Sequence, residues 1–276
     1  MKSNVEWQSW GAVDPMYGVS SLSGRSKHGS HPWTADEFYS YGEVCWEYYV
    51  PLWKRYGLLN GVCLEIGCGA GRMTKALAHT FSFVHAVDVS ADMIAHAREH
   101  IDCGNVEFHL TTGTKTDVTA GVAEAAFSTD VFQHFPGTVE CDNYFREIFR
   151  VLRPGGTLMV HLPVHQWPGH PMQPRLFDWL YGFSIRWVAL KDTLQRLLIR
   201  FGRPRPFMTG TSYALSWVFS ALPAIGFERI EAVTIAVPDA LLAGPAGTVP
   251  RIVEAPRNFR TFVFATKPLI QAEQTM

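Results

Sequence analysis

The stretch LEIGCGAGR, Leu64–Arg72, sets three glycines at every second position, with an acid two places before the first and an arginine after the last. The residues leading into it, VCLEIG, read as a short buried strand, and those following, MTKALAHTF, as a helix. The glycines therefore lie on a strand-to-helix loop. In a parallel sheet such a loop presents backbone N–H groups and a helix N-terminus above the carboxyl edge, where ligands bind. Lacking side chains, this backbone lets a ligand touch it. The pattern of Gly67, Gly69 and Gly71 is GxGxG, shorter than the GxGxxG that cradles a dinucleotide pyrophosphate.

Outward from the loop the pattern keeps alternating. FVHAVDV reads as a strand and ADMIAHAREHI as a helix capped by Ser90. NVEFHL and VAEAAFS read as strands, VECDNYFREIFRVL as a helix, and PGG as a turn into the strand TLMVHLP. FERIEAVTIAV and NFRTFVFATK read as two final strands joined by a Pro/Gly-rich loop over 238–256. Strands alternating with helices imply an α/β fold with a parallel sheet and right-handed crossovers. Residues 1–57 stand apart. They form an aromatic-rich arm expected to order on docking, then a helix with Thr34 as N-cap and Glu37 closing a capping box. Residues 163–210 interrupt the plan with the loop PVHQWPGHPMQP and a helix whose apolar seam runs from Leu176 to Phe201 in steps of four and three. The expected division is an arm and lid over 1–57, a core over 58–162, a helical substrate cap over 163–210, and the last helix and strands over 211–276.

Bulk properties exclude several classes. The formal net charge of −1 offers no general field for nucleic acid or an anionic membrane. The five cysteines are scattered, and no Cys/His cluster has metal-ligand spacing, so neither a disulfide framework nor a metal is expected. MKSNVEWQSWG lacks the apolar core of a signal peptide, and no uncharged apolar run reaches membrane-spanning length. A cytoplasmic location is expected.

Asp88 ends the second strand 17 residues past Gly71, where an acid can accept both hydroxyls of an adenosyl ribose; Ser90 is the better-placed helix cap. Together LEIGCGAGR, AVDVS and RVLRPGGTL resemble the motifs of class I S-adenosylmethionine-dependent methyltransferases, in the right order and spacing over about residues 58–162. The resemblance implies a Rossmann-like seven-stranded sheet of order 3-2-1-4-5-7-6 with strand 7 antiparallel, and S-adenosyl-L-methionine as cofactor, leaving S-adenosyl-L-homocysteine. It places Gly67, Cys68, Gly69 and Gly71 against the methionine part and makes Glu65 the acid that orders the loop, often through the cofactor's ammonium. It gives Asp88 to the ribose, with Val89 beside the adenine. Met93 packs either on the adenine face or in the core of its helix. Thr112 or Gly113 takes the place where related chains often carry an acid for the adenine amino group. Thr129, after the fourth strand, joins the cofactor contacts, and Arg72 reaches either the cofactor carboxylate or a surface acid.

The resemblance also implies the reaction. A sulfonium methyl is already activated, so the protein mainly supplies alignment and desolvation for in-line displacement. A hydroxyl acceptor also needs a base, contributing on the order of 10²–10⁴-fold. In FSTDVFQHFP the V-x-Q-H pattern of many small-molecule methyltransferases puts His134 near the methyl, with His165 or His161 as alternatives. STDVF replaces the [ND]PP[YF] motif of base-amine methylation, which speaks against nucleic acid. The N-terminal segment WQSWGAVDPMYGV loosely resembles bacterial methyltransferases of natural-product and polysaccharide pathways. The expected acceptor is a small molecule, anionic or aromatic, methylated at oxygen. Its candidate contacts are Tyr17, Trp33, Tyr41, Trp167, Arg203, Arg205 and Tyr213. The 176–201 seam is read as lid, homodimer contact or membrane-surface contact. Rival readings are transfer to N, S or C, a sensor that binds the cofactor without turnover, and an NAD-dependent dehydrogenase, against which the GxGxG form speaks.

Overall fold

A computed structural model of the 276-residue chain describes residues 2–165, 211–236 and 259–269. The seam over 176–201 and the loop over 238–256 lie outside the described residues. The elements of the main sheet are β1 (Val62–Ile66), β2 (Phe83–Asp88), β3 (Val106–Leu110), β4 (Ala123–Ser128), β5 (Leu152–His161), β6 (Glu228–Ala236) and β7 (Phe259–Thr266). Their spatial order is 3-2-1-4-5-7-6. The first five strands are parallel, and β7 runs antiparallel to both β5 and β6. The expected topology is the observed one.

The period of two along the strands sorts side chains between two cores. Phe127, Met159, Phe262 and Phe264 join one, under α3 (Ala35–Tyr56); Ala126, Leu158, Val160 and Val263 join the other, with α6 (Thr138–Val151) and α7 (Leu215–Ile225). Helix α3 starts where Thr34 accepts from the Glu37 N–H while the Glu37 carboxylate accepts from the Thr34 N–H. That capping box satisfies donors the helix leaves free. Its stripe of Phe38, Gly42, Cys45, Tyr49, Trp53 and Tyr56 follows the helical repeat and is buried. Trp53 is wholly buried, donates from Nε1 to Thr157 Oγ1 at 2.9 Å, and stacks on Phe127.

One expectation is corrected. The PGG segment is part of β5 rather than a turn before it, the strand already starting at Leu152. Gly155 takes φ 80°, and the pairing of β4 with β5 shifts register between Ala123 and Ala125, so the chain absorbs the Pro-Gly-Gly run as an irregularity of the strand. The arm is helical: α1 (Lys2–Val13) and α2 (Pro15–Val19) precede α3, and α4 (Thr74–Thr80) and α5 (Ala91–His100) follow it. Asp14 caps α2, with Pro15 at its first position. Helix α1 docks against α5, close enough that a Cβ on Gly11 would come 2.4 Å from Ser90 Oγ. Among the described residues no helix is long and apolar enough to cross a membrane.

Trp53→Ala should destabilise the chain by about 3–5 kcal/mol, because it opens a large cavity and orphans the Thr157 hydroxyl. Urea unfolding followed by circular dichroism measures it; a loss below about 1 kcal/mol would mean that α3 is not seated on the sheet as described.

Candidate active site

The carboxyl ends of β1, β2 and β4 meet at the glycine loop. Gly67 and Gly69 have φ of 74° and 52°, a backbone that side-chain-bearing residues rarely adopt. Space forbids a side chain as well. A Cβ at Gly67 would lie 2.3 Å from Val131 Cγ2, and one at Gly69 would lie 2.5 Å from Val19 Cγ2. The Gly67 and Cys68 N–H groups both donate to the Val87 carbonyl, at 2.8 and 3.0 Å. Gly69 N–H donates to Asp88 Oδ2 at 2.8 Å, and Ser90 N–H to Asp88 Oδ1 at 2.9 Å. Asp88 is thus buried at the loop rather than capping α5, which the Ser90 hydroxyl does by accepting from Met93 N–H. Burial moves the Asp88 carboxyl upward from its ordinary value against the pull of its backbone donors.

Glu65 lies buried beneath the loop, accepting from Thr74 Oγ1 at 2.6 Å. Burial pushes its carboxyl up to about 7, with the Thr74 hydrogen bond opposing. Met93 is buried in the core under α3. Helix α1 reaches across the same edge. Asn4 Nδ2 donates to the Thr112 carbonyl at 3.0 Å, and Gln8 Nε2 to the Val89 carbonyl at 3.5 Å. The Gly113 carbonyl accepts from Thr111 and Tyr144 hydroxyls. After β4, a single 3₁₀ turn over Phe132–His134 sets His134 edge-on against Trp7, with centroids 4.7 Å apart and Gln133 Nε2 3.1 Å from His134 Nε2.

Sequence reasoning missed the charged knot beside this turn. Asp130, at φ 60°, receives Arg72 Nη2 at 3.0 Å and Arg260 Nη1 at 2.6 Å. Arg72 therefore meets a partly buried acid of the protein; its guanidinium also lies 5.3 Å from the Tyr41 ring centre and 3.7 Å from Cys45 Sγ, and its Nε is buried with no hydrogen-bond partner. Arg260 also donates to Thr129 Oγ1 at 3.3 Å. Asp130 N–H donates to His161 Nδ1 at 3.3 Å, which leaves the ring proton on Nε2. The Arg260 and Arg72 guanidiniums hold the Asp130 carboxyl well below the usual range despite its burial. Burial lowers His161 to about 4, with Asp130 opposing and Arg260 and His134 adding to the drop. The only signal for Arg260 in the sequence is a charge in an apolar strand, NFRTFVF; nothing there names its partner.

Of the candidate acceptor contacts, the four that are described do not form one group. Trp33 is buried, donates from Nε1 to the Ser20 carbonyl, stacks on Tyr41, and carries the Arg25 guanidinium 3.9 Å from its ring centre. Tyr17 packs against Trp10 in the arm. Tyr213 is buried in the core on the α6 side and donates to the Phe132 carbonyl at 2.7 Å. Trp167, Arg203 and Arg205 lie outside the described residues, as does the side chain of His165.

Comparison with known proteins finds methyltransferases. Residues 64–160 match the methyltransferase domain family. A ubiquinone biosynthesis O-methyltransferase of Xanthomonas campestris is 27% identical over 109 residues, 38% of this chain and 44% of that protein. A ubiquinone/menaquinone biosynthesis C-methyltransferase of Hydrogenovibrio crunogenus is 30% identical over 125 residues, covering 40% of this chain and 47% of that one. The chain thus spans less than half the length of these relatives. Among solved structures, the Haemonchus contortus phosphoethanolamine N-methyltransferase 2, in complex with phosphomonomethylethanolamine and S-adenosylhomocysteine, superposes with a TM-score of 0.52 at 20% identity, over 81% of this chain and 53% of that one. At that identity the likeness speaks for the fold.

His161 and Glu65 pull stability in opposite directions with pH. His161 titrates near 4 when folded, below its unfolded value of about 6.5. Its contribution is complete above that unfolded value and is lost as pH falls toward 4. Glu65, raised to about 7, contributes fully below about 4.5 and loses that contribution as pH rises through 7. The wild-type chain should therefore show a shallow slope between about pH 5 and 7, and His161→Gln, leaving Glu65 unopposed, should lose on the order of 2 kcal/mol over that range. Urea melts at both pH values test it; parallel slopes in the two proteins would mean that His161 binds its proton equally in the folded and unfolded states.

Proposed function

Since the chain carries a class I S-adenosylmethionine-dependent methyltransferase domain, we propose that it is an enzyme moving the sulfonium methyl of S-adenosyl-L-methionine to a hydroxyl oxygen of a small molecule. The observation that carries this reading is the convergence of the glycine loop, buried Asp88 and the His134 turn on one edge of the sheet. Gly67–Gly71 would lie against the methionine part and Asp88 would take the ribose hydroxyls. Glu65 would face the ammonium, and Val89, Met93, Thr112 and Gly113 would border the adenine. When bound, the cofactor supplies the activated methyl.

His134 is the proposed base. It stands on the turn after β4, whereas His161, lowered to about 4 and accepting from a backbone N–H, holds a proton poorly near neutrality. Helices α1 and α2 are the proposed lid. Asn4, Trp7, Gln8 and Val19 touch Thr112, His134, Val89 and the Gly69 position in turn. Two guanidiniums facing one carboxylate at Asp130 leave a net positive site, which suits a carboxylate on the cofactor or on the acceptor. The ubiquinone-pathway relatives name an O- and a C-methyltransferase, so oxygen is favoured here by the need for a base rather than by likeness.

Methyl-labelled S-adenosylmethionine, incubated with the protein and a small-molecule fraction of cell extract, should deliver label to a small molecule that loses it on ether-cleaving treatment. Label in protein or nucleic acid, or in a C-methyl product, would overturn the acceptor class. In the same assay His134→Ala should lower turnover by about 10²–10⁴-fold and leave cofactor affinity within a few-fold. Asp88→Ala should weaken cofactor affinity on the order of 10²-fold. Unchanged values would remove these residues from their roles.

Glu65 adds a pH test. An ammonium binds the ionised carboxylate, and Glu65 is held up to about 7 in the free protein. Affinity for S-adenosylhomocysteine, by calorimetry, should rise roughly tenfold from about pH 6 to about pH 8, and Glu65→Gln should flatten that dependence. A wild-type affinity independent of pH would mean that Glu65 does not face the ammonium.

A further inference from the structure

A second cluster lies on strands β2 and β3, below the ribose-binding edge. His85 pairs in register with Glu107, and Val87 with His109, so His85, Glu107 and His109 share one face of the sheet. His85 Nδ1 lies 2.9 Å from His109 Nε2 and 3.4 Å from Glu107 Oε2, and His109 Nε2 lies 3.6 Å from the same oxygen. Two nitrogens and an oxygen thus face one point, and among the described residues this is the group whose ligand atoms converge in this way. The imidazoles are largely buried, while Glu107 opens to solvent.

We propose that His85, His109 and Glu107 bind one divalent transition-metal ion of the zinc class, with Asp117 positioning His109. Bonds of about 2.0–2.1 Å in a tetrahedron place ligand atoms about 3.3–3.4 Å apart. The three observed separations bracket that edge, so the ion enters with a shift of a few tenths of an ångström. His109 Nδ1 lies 2.8 Å from Asp117 Oδ1. A carboxylate accepting from Nδ1–H fixes the tautomer whose free lone pair is on Nε2, as is usual for a metal-bound histidine. Asp117 is itself held. Its neighbour Thr116 donates from its N–H and hydroxyl to Glu147 at 2.7 and 2.8 Å, and Arg150 donates to the Val118 carbonyl at 2.8 Å. Water fills the fourth position on the exposed Glu107 side. The ion ties edge strand β3 to β2 three residues before Asp88.

The competing account is a neutral His85–His109 hydrogen bond with no ion. The full chain, stripped with chelator and dialysed, would be titrated with Zn²⁺ by calorimetry and with Co²⁺ by visible absorption. The expected result is one ion per chain, the intense visible bands of four-coordinate Co²⁺, and a raised melting temperature with Zn²⁺. His85→Ala and His109→Ala should each weaken binding at least about 100-fold, and Asp117→Asn about 10–100-fold. A wild-type chain that binds no Zn²⁺, or leaves Co²⁺ with the weak spectrum of the six-coordinate aqua ion, overturns the proposal without reference to any variant. Retained one-to-one binding in both folded histidine variants overturns it too, by placing the ion elsewhere.

Discussion

The loop after β1 has almost no freedom, and the rest of the edge is arranged around that fact. Three consecutive N–H groups, of Gly67, Cys68 and Gly69, are committed to the end of β2, through the Val87 carbonyl and the Asp88 carboxylate. A loop carrying side chains could not come so close, because Val131 and Val19 already fill the space where they would project. Each of these bonds is worth only about 0.5–1.5 kcal/mol net, but an unmet buried N–H costs more. The sequence therefore needs both partners, glycine on one strand's exit and an acid at the next strand's end. That pairing also builds the cradle: positive-φ glycines open the loop, and the acid that fixes it is the group proposed to take a ribose.

Beneath the cradle the charges are sorted by what each can afford in a dry environment. Asp130 stays ionised because two guanidiniums meet it, and losing it would leave both buried without it, a loss of about 3–5 kcal/mol. His161, between the same cations and a backbone donor, stays neutral. Glu65 has only a hydroxyl for company and rises toward neutrality. A carboxylate that is costly to ionise in the free protein is one that a bound cation stabilises, so the apparent misfit at Glu65 favours a ligand with an ammonium group.

The parts of this protein legible in its sequence are those set by local rules. Strand alternation, the Thr34–Glu37 capping box, the Ser90 cap and the glycine loop each declare themselves within a few residues, and strand order followed from a resemblance resting on three such local motifs. What escaped is set by pairing across the sheet. Asp130 and Arg260 are 130 residues apart, and their bond exists because β7 inserts between β5 and β6. His85 and His109 meet because parallel pairing sets β3 beside β2 in one register; a search for closely spaced ligands sees only the Glu107-x-His109 half. The PGG segment misled for the opposite reason: three residues that signal a turn were overridden by the ladder with β4.

The arm shows how cohesion is graded along one chain. Helix α3 is fastened by a capping box and a continuous buried aromatic stripe, so its opening would expose most of one core. Helix α1 has no such stripe: Val5 and Val13 are exposed, Trp7 and Trp10 pack partly buried against the core, and hydrogen bonds from Asn4 and Gln8 and the Trp7–His134 contact tie it to the loop edge. Those ties sum to a few kcal/mol at most, on the scale of about 0.5–1.5 each. The same contacts fall on Val89, Thr112 and His134, the positions assigned to the adenine and the base. In the proposed role of α1 as a cover, opening of the helix would release product, and its tryptophan, set against the histidine, would exclude water.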